Sequence, residues 1–353
     1  MSVDEDVRPE STGGRTPDAA EGSATGSQAD GVSLYYEADP EDLVVPPDSD
    51  YVVRGVAAGG MIRAFAATTR RTVQAARDAH QSSPVVTAAL GRLLTAGAIM
   101  GSMVKDDGEL MTLTVRGDGP IGSLTVTADS HGHVKGYPGN ADVWLPLNGS
   151  AKLDVGTAVG SGSLSVVQDV PWGEPYTSQI ALATGEIGDD IAAYYAESEQ
   201  VPSAVGLGVL VDTDLSVRQA GGFIVQLMPD CDEGTIERLE ANLGDVRSVT
   251  EMLDDGMSPE EILGEVLRGL DFTPLRVSPT EFRCNCSRER TERVLITLGA
   301  KELQSLIDDG KPTEMVCNFC GSSYEFSVDE LRALLAEATA VGAGSVQGSP
   351  EQA

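Results

Sequence analysis

Four of the chain's five cysteines stand in two close pairs, Cys284-Asn285-Cys286 and, thirty residues later, Cys317-Asn318-Phe319-Cys320. Each pair can hold an ion between two thiolates. A fold that joins the pairs supplies the four soft ligands zinc takes tetrahedrally at about 2.3 Å. This constrains the C-terminal region more than any hydrophobic pattern does, because two loops distant in sequence must converge on one point. His80, His131 and His133 lie far upstream, so Cys284, Cys286, Cys317 and Cys320 make an all-sulfur candidate site. With every position filled by sulfur, no place remains for a catalytic water, which argues against hydrolytic zinc chemistry and against an enzyme of that kind. Two readings stay open: a staple for a small module, or a redox-active centre. Ordinary zinc ribbons use Cys-x-x-Cys twice, whereas cysteines one residue apart have Cα atoms within the roughly 4.4–6.8 Å reach of a disulfide. So tight a ring is strained and easily reduced, as labile, regulatory disulfides are. Arg283, Arg288 and Arg290 flank the first pair and would favour thiolate over thiol, although an arginine run also reads as a solvated face.

The chain of 353 residues is long enough for one or two domains with a real core. Its 24 Lys+Arg against 55 Asp+Glu give a net charge of −31, which repels phosphate backbones and anionic lipid and excludes nucleic acid and membrane as expected partners. The excess runs along the whole chain, and with only five lysines it fits either adaptation to high salt or a merely solubilising surface. The most apolar stretch, Val85 to Met103, is interrupted by Arg92, and the acidic N-terminus lacks a signal-peptide pattern. The expected location is the cytoplasm, where the thiols are reduced at rest.

Residues 1–50, rich in Gly, Ser, Pro, Asp and Glu, have too few apolar anchors to offset ordering entropy and read as a disordered acidic extension. Residues 339–353 read as a disordered tail. From 51 to 230, short β-prone runs such as Met111–Val115, Gly122–Val126 and Ser163–Val167 alternate at period two. Helical patterns at Val85–Met100 and Asp189–Ser198 lie between such runs. Strands grouped with helices, without strict alternation, predict an α+β core. Residues 231–281 read as an amphipathic helical linker. One stripe runs through Ile236, Leu239 and Leu243 and another through Ile262, Leu263, Val266, Leu267 and Leu270, with Ser258-Pro259-Glu260-Glu261 as a helix start. Residues 282–338 form the cysteine module. It has a helix through Leu303, Leu306 and Ile307, an alternating run at Tyr324 and Phe326, and a final helix capped by Ser327.

Other motifs carry little. No Gly-x-x-x-x-Gly-Lys-Ser/Thr phosphate loop is present. Gly206-Leu207-Gly208 reads as backbone packing, His131-Gly132-His133 as a turn, Ser198-Glu199-Gln200 as a helix terminus and Cys231 as a lone buried or bystander thiol. Cys317-x-x-Cys320 lacks the βαβ context of a thioredoxin-like site.

Beyond these elements the chain resembles a family, the redox-regulated 33 kDa chaperonins, heat-shock holdases of the bacterial cytoplasm. The resemblance rests on Arg116-Gly117-Asp118-Gly119-Pro120-Ile121-Gly122, on Gly132-His133-Val134-Lys135-Gly136-Tyr137, and on Tyr194-Tyr195 followed by Ser198-Glu199-Gln200-Val201-Pro202-Ser203. It continues through Ala220-Gly221-Gly222-Phe223. Its most specific part joins Cys284-x-Cys286-Ser287-Arg288-Glu289-Arg290 to Cys317-x-Phe319-Cys320 and Tyr324-x-Phe326. The acidic extension has no counterpart in the resemblance. The resemblance implies an ATP-independent chaperone whose reduced form holds one zinc and is inactive. Oxidation then pairs Cys284 with Cys286 and Cys317 with Cys320, releases zinc, loosens the linker and exposes apolar surface to unfolded clients. The active form is expected to be a homodimer. The competing functions are a zinc ribbon that binds nucleic acid or a protein partner without redox switching, and a disulfide oxidoreductase.

Overall fold

The strands form because β-branched and apolar residues alternate with polar ones, and their order in space decides where the cysteines come together. The computed structural model describes residues 44, 49–104, 106, 108–171 and 173–344, with side chains to residue 339. The acidic extension, apart from Val44, Ser49 and Asp50, lies outside the described residues, as does the tail beyond Gly344.

The strands are β1 (Asp50–Ala57), β2 (Ile62–Thr68), β3 (Leu110–Gly117), β4 (Ser123–Asp129), β5 (His133–Pro138), β6 (Gly162–Asp169), β7 (Tyr176–Ala181), β8 (Ser203–Val211), β9 (Val217–Leu227) and β10 (Thr273–Phe282). They make one sheet in the order β7-β6-β3-β4-β5-β10-β1-β2-β9-β8. Helices α1 (Arg70–His80), α2 (Pro84–Gly101), α3 (Val155–Val159) and α4 (Gly188–Glu197) accompany these strands, with α5 (Glu233–Asp245), α6 (Val249–Asp254) and α7 (Pro259–Val266) between β9 and β10. The mixed architecture agrees with the α+β expectation.

Period-two alternation sends neighbouring residues of β1 to two different cores. Val52 joins Leu90, Leu94, Leu113 and Val126 in the larger core around α2. Tyr51 and Val53 join Phe223, Leu239, Leu253, Ile262, Leu263 and Val266 in a second core, against α5–α7. By length and composition α2 could cross a membrane, but 89% of it is buried inside the fold, a stronger ground than the lone Arg92 for reading it as a core helix. The Ser258 capping box forms as expected, its hydroxyl accepting from Glu261 N while Glu261 accepts from Ser258 N. Tyr51 Oη donates to Glu260 at 2.9 Å and ties α7 to β1. Asn242 of α5 donates to the carbonyls of Val266, the last residue of α7, and of Arg268 just beyond it.

The stretch read as a helical linker over 231–281 is helical only as far as Val266; Thr273–Phe282 is strand β10. Pro274 and Pro279 mask its strand character, and the partner is non-local: β10 pairs antiparallel with β1 from Asp50↔Thr280 to Val56↔Thr273. On its other side it meets β5 in parallel at only Glu281↔His133 and Phe282↔Val134.

The cysteine region folds as α8 (Arg288–Thr297), α9 (Ala300–Asp308), the hairpin β11 (Thr313–Val316) and β12 (Ser323–Phe326), and α10 (Val328–Gly344). Its small core comprises Leu295, Leu303, Ile307, Phe326, Leu331 and Leu334. The last helix runs past residue 338, where the sequence reading begins a disordered tail, because its apolar face continues to pack through Leu335 and Ala338.

Candidate metal centre

The two cysteine pairs sit on two different kinds of turn. Cys284 and Cys286 occupy the link between the end of β10 and Ser287, whose hydroxyl caps α8 by accepting from Arg290 N. Cys317 and Cys320 lie in the β11–β12 connection. There Gly321 N donates to Cys317 O at 2.8 Å, and Gly321 adopts the left-handed φ of +71° that closes the turn. The fold brings all four Sγ atoms within 4.8 Å of one another. Across the pairs, Cys284 Sγ lies 3.7 Å from Cys317 Sγ and Cys286 Sγ lies 3.3 Å from Cys320 Sγ. Four thiolates about 2.3 Å from a common centre would stand about 3.8 Å apart at tetrahedral angles. The cluster therefore fits a tetrahedral, thiophilic ion with little adjustment, and its sulfur-only donor set suits zinc. Cys231 lies outside the cluster, as the bystander reading expects.

Hydrogen bonds distinguish the four thiols. Tyr324 Oη donates to Cys286 Sγ at 3.3 Å, and the Ser322 hydroxyl lies 3.2 Å from Cys320 Sγ. Burial raises the Cys320 thiol, but the contacts with Ser322 and the neighbouring cysteines more than offset it, bringing it down to about 7. Burial pushes Cys284 up to about 12, with neighbouring thiols adding to the rise.

The flanking arginines do not serve as thiolate partners. Arg283 bonds His133 and Glu281, and Arg288 lies over the Phe326 ring and pairs with Glu330. Arg290 donates to the carbonyl of Asn285, so these cations brace the loops.

Sequence reasoning gave no site role to Lys135 or Tyr137, yet both reach from β5 into the cysteine motifs. Lys135 Nζ donates to Asn285 Oδ1 at 2.6 Å and stands 4.6 Å from the centroid of Phe319. Tyr137 meets Phe319 edge to face at 5.0 Å. The available signal was their i, i+2 spacing, which puts both on one face of a strand. Beside this strip an open cleft of about 840 Å³, lined by Leu110, Arg290, Val294 and Val316 among others, separates module from core. The remaining motifs fall where expected: His133 begins β5 after a turn, Ser198 ends α4 with Tyr194 Oη bonded to Glu199, and Gly206 and Gly208 lie within β8.

Comparison with known proteins agrees with this arrangement. The profile of the family described as "Hsp33 protein" matches residues 50–327. The chain is 52% identical over 284 residues to a 33 kDa chaperonin of Agathobacter rectalis, covering 80% of this chain and 99% of that one. It is 52% identical over 287 residues to a 33 kDa chaperonin of Lachnoclostridium phytofermentans, covering 81% and 98%. The crystal structure of a 33 kDa chaperonin from Thermotoga maritima superposes with a TM-score of 0.78 at 33% identity, covering 83% of this chain and 99% of that chain. A family match spanning both the sheet and the cysteine loops, with relatives matched over nearly their full length, means that this chain belongs to the Hsp33 protein family.

Proposed function

We propose that the protein is an ATP-independent holdase, a chaperone and not an enzyme, that oxidation of its four-cysteine site switches on. The observation that carries the proposal is a cluster of four sulfurs within 4.8 Å that follows directly on β10, the strand joining the two halves of the sheet. Cys284, Cys286, Cys317 and Cys320 would hold zinc in the reduced protein, one ion per chain. Zinc bound there would supply a cross-link worth on the order of 10–16 kcal/mol to a module whose own core is small.

Oxidation of four thiols to two disulfides removes four electrons and four protons, which two molecules of a peroxide-class oxidant accept as they are reduced. The assigned products, Cys284–Cys286 and Cys317–Cys320, follow the family pattern. Loops this short constrain an unfolded chain little, and the disulfides do not restore the lost stability. The module then unfolds, α5–α7 loosen, and the apolar face formed by Tyr51, Val53, Phe223 and their neighbours becomes available to unfolded clients. The proposed setting is the cytoplasm under oxidative stress, with a homodimer as the active form.

The test is metal content measured beside suppression of client aggregation, in reduced and peroxide-treated protein. The expected result is about one zinc per chain when reduced, with loss of zinc and gain of activity in parallel. Activity indifferent to oxidation would refute the switch.

A further inference from the structure

Among the described residues, β10 is the one strand that joins the two halves of the sheet. Without it, β7-β6-β3-β4-β5 and β1-β2-β9-β8 have no hydrogen-bonded strand in common. Its hold is short toward β5 and carries one unfavourable pair toward β1. Toward β5 it makes two parallel pairs, and these end two residues before Cys284. Toward β1 its two prolines, Pro274 opposite Gly55 and Pro279 opposite Tyr51, stand in pairs whose β1 member turns its backbone groups to β2, so they remove no bond from that ladder. The register also breaks between Arg54 and Gly55. Arg276 stands directly opposite Arg54, both are exposed, and neither has an ion pair or side-chain hydrogen bond among the described residues. Like charges directly opposite in an antiparallel pair are destabilising.

What β10 covers is a good edge. The strand β1 carries Tyr51, Val53 and Ala57 at 7%, 0% and 1% exposure on the face beneath α5–α7. Loss of β10 together with those helices would leave a row of unpaired backbone groups beside a row of apolar side chains. Such an edge accepts an extended chain with apolar residues at alternate positions, because main-chain bonds supply affinity without demanding a sequence. Unfolded polypeptide offers this form.

We propose that release of β10 opens the edge of β1 and that client chains dock there by adding an extended strand in its place. This rests on the oxidative switch proposed above and names the surface that the switch uncovers. A client segment with an acidic residue opposite Arg54 replaces a repulsive pair by an attractive one. A second copy of β1 fits less well in the antiparallel register centred on Arg54, where two Arg54 side chains would meet.

The test follows backbone hydrogen exchange of β1 in the full-length chain, reduced with zinc and then oxidised, with metal release and holdase activity recorded on the same samples. The probe is an acidic, alternating peptide as long as β10, ten residues, beside a copy methylated at alternate backbone nitrogens. Protection of the β1 amides should fall at least about tenfold on oxidation and return with the peptide but not with its methylated copy. The variant Arg276→Glu, which sets a carboxylate opposite Arg54, should slow client capture after oxidation several-fold while metal release stays as in the parent. Protected β1 amides in an oxidised, active protein would overturn the proposal and leave the switch intact. Equal binding of the methylated peptide would also overturn it, as would protection that returns with protein concentration alone, the mark of self-pairing. A chain that neither releases metal nor gains activity would overturn the switch and this proposal with it.

Discussion

Replacing Phe319 by alanine removes the side chain through which the Cys317–Cys320 turn rests on β5 and leaves all four sulfurs in place. Two contacts are lost: the edge-to-face meeting with Tyr137 at 5.0 Å and the approach of Lys135 Nζ to the ring at 4.6 Å. The first is worth about 0.5–1.5 kcal/mol. The second adds about 0.5–1 kcal/mol at a partly exposed site. Together they amount to about 1–2.5 kcal/mol, or about a 5- to 60-fold shift from docked toward undocked module. The hydrogen bond from Lys135 to Asn285 remains, so docking is weakened and not abolished. The assay pairs hydrogen exchange over β5 with the rate of metal release under peroxide, followed by a chromogenic chelator. Exchange over residues 133–138 should quicken and release should accelerate, with the metal content of the reduced protein unchanged. A double-mutant cycle with Lys135→Ala should return a coupling of about 0.5–1 kcal/mol. Unchanged exchange and unchanged release would refute the view that this aromatic contact holds the module on the sheet. Loss of metal from the reduced variant would instead make Phe319 part of the module's own folding.

Three further outcomes follow from the same geometry. Leu263→Ala empties a fully buried position in the second core and should cost about 2–5 kcal/mol, raising holdase activity in the reduced state; simultaneous loss of exchange protection in α2 and α7 would show that the two cores do not separate. Asp50 accepts from Thr72 N at 2.7 Å, and burial holds its carboxyl above the ordinary 3.8 despite that bond. Between the ordinary value and the raised one the folded chain keeps a proton that the unfolded chain has lost, so stability falls as pH rises through that interval and stays lower above it. Asp50→Asn should flatten this fall in urea titrations at a series of pH values, and an unchanged slope would count against it. Gly132 has a φ of +80°, and a Cβ there would come 2.0 Å from Pro279 O; Gly132→Ala should therefore cost more than about 1 kcal/mol, read as a lower Tm with earlier proteolysis near β10, and an unaltered Tm would contradict the close approach of β5 and β10.

Much of the local structure was legible because its causes are local. The alternation in β3, β4 and β6, the length and apolar character of α2, and the serine caps of α7 and α10 depend on residues a few positions apart. Strand β10 was not legible. Pro274 and Pro279 argue against a strand, and only the edge of β1, more than two hundred residues earlier, makes one worthwhile. Lys135 and Tyr137 were visible as part of a motif but not as contacts, because neither has a partner within its own stretch of chain.

The sequence by itself determined the ligand chemistry: four cysteines in two short-spaced pairs with no histidine near them restrict the donor set to sulfur, whatever the fold. It also determined the helices before β10 and the alternation of the strands, since side-chain period and end caps act over single turns. Only the tertiary structure decided that the four sulfurs meet, that the link to them starts from the middle of a ten-stranded sheet, and that β5 grips both cysteine loops. These features depend on contacts between segments far apart in sequence, which form only when burial of both cores offsets the entropy of closing the long loops between them.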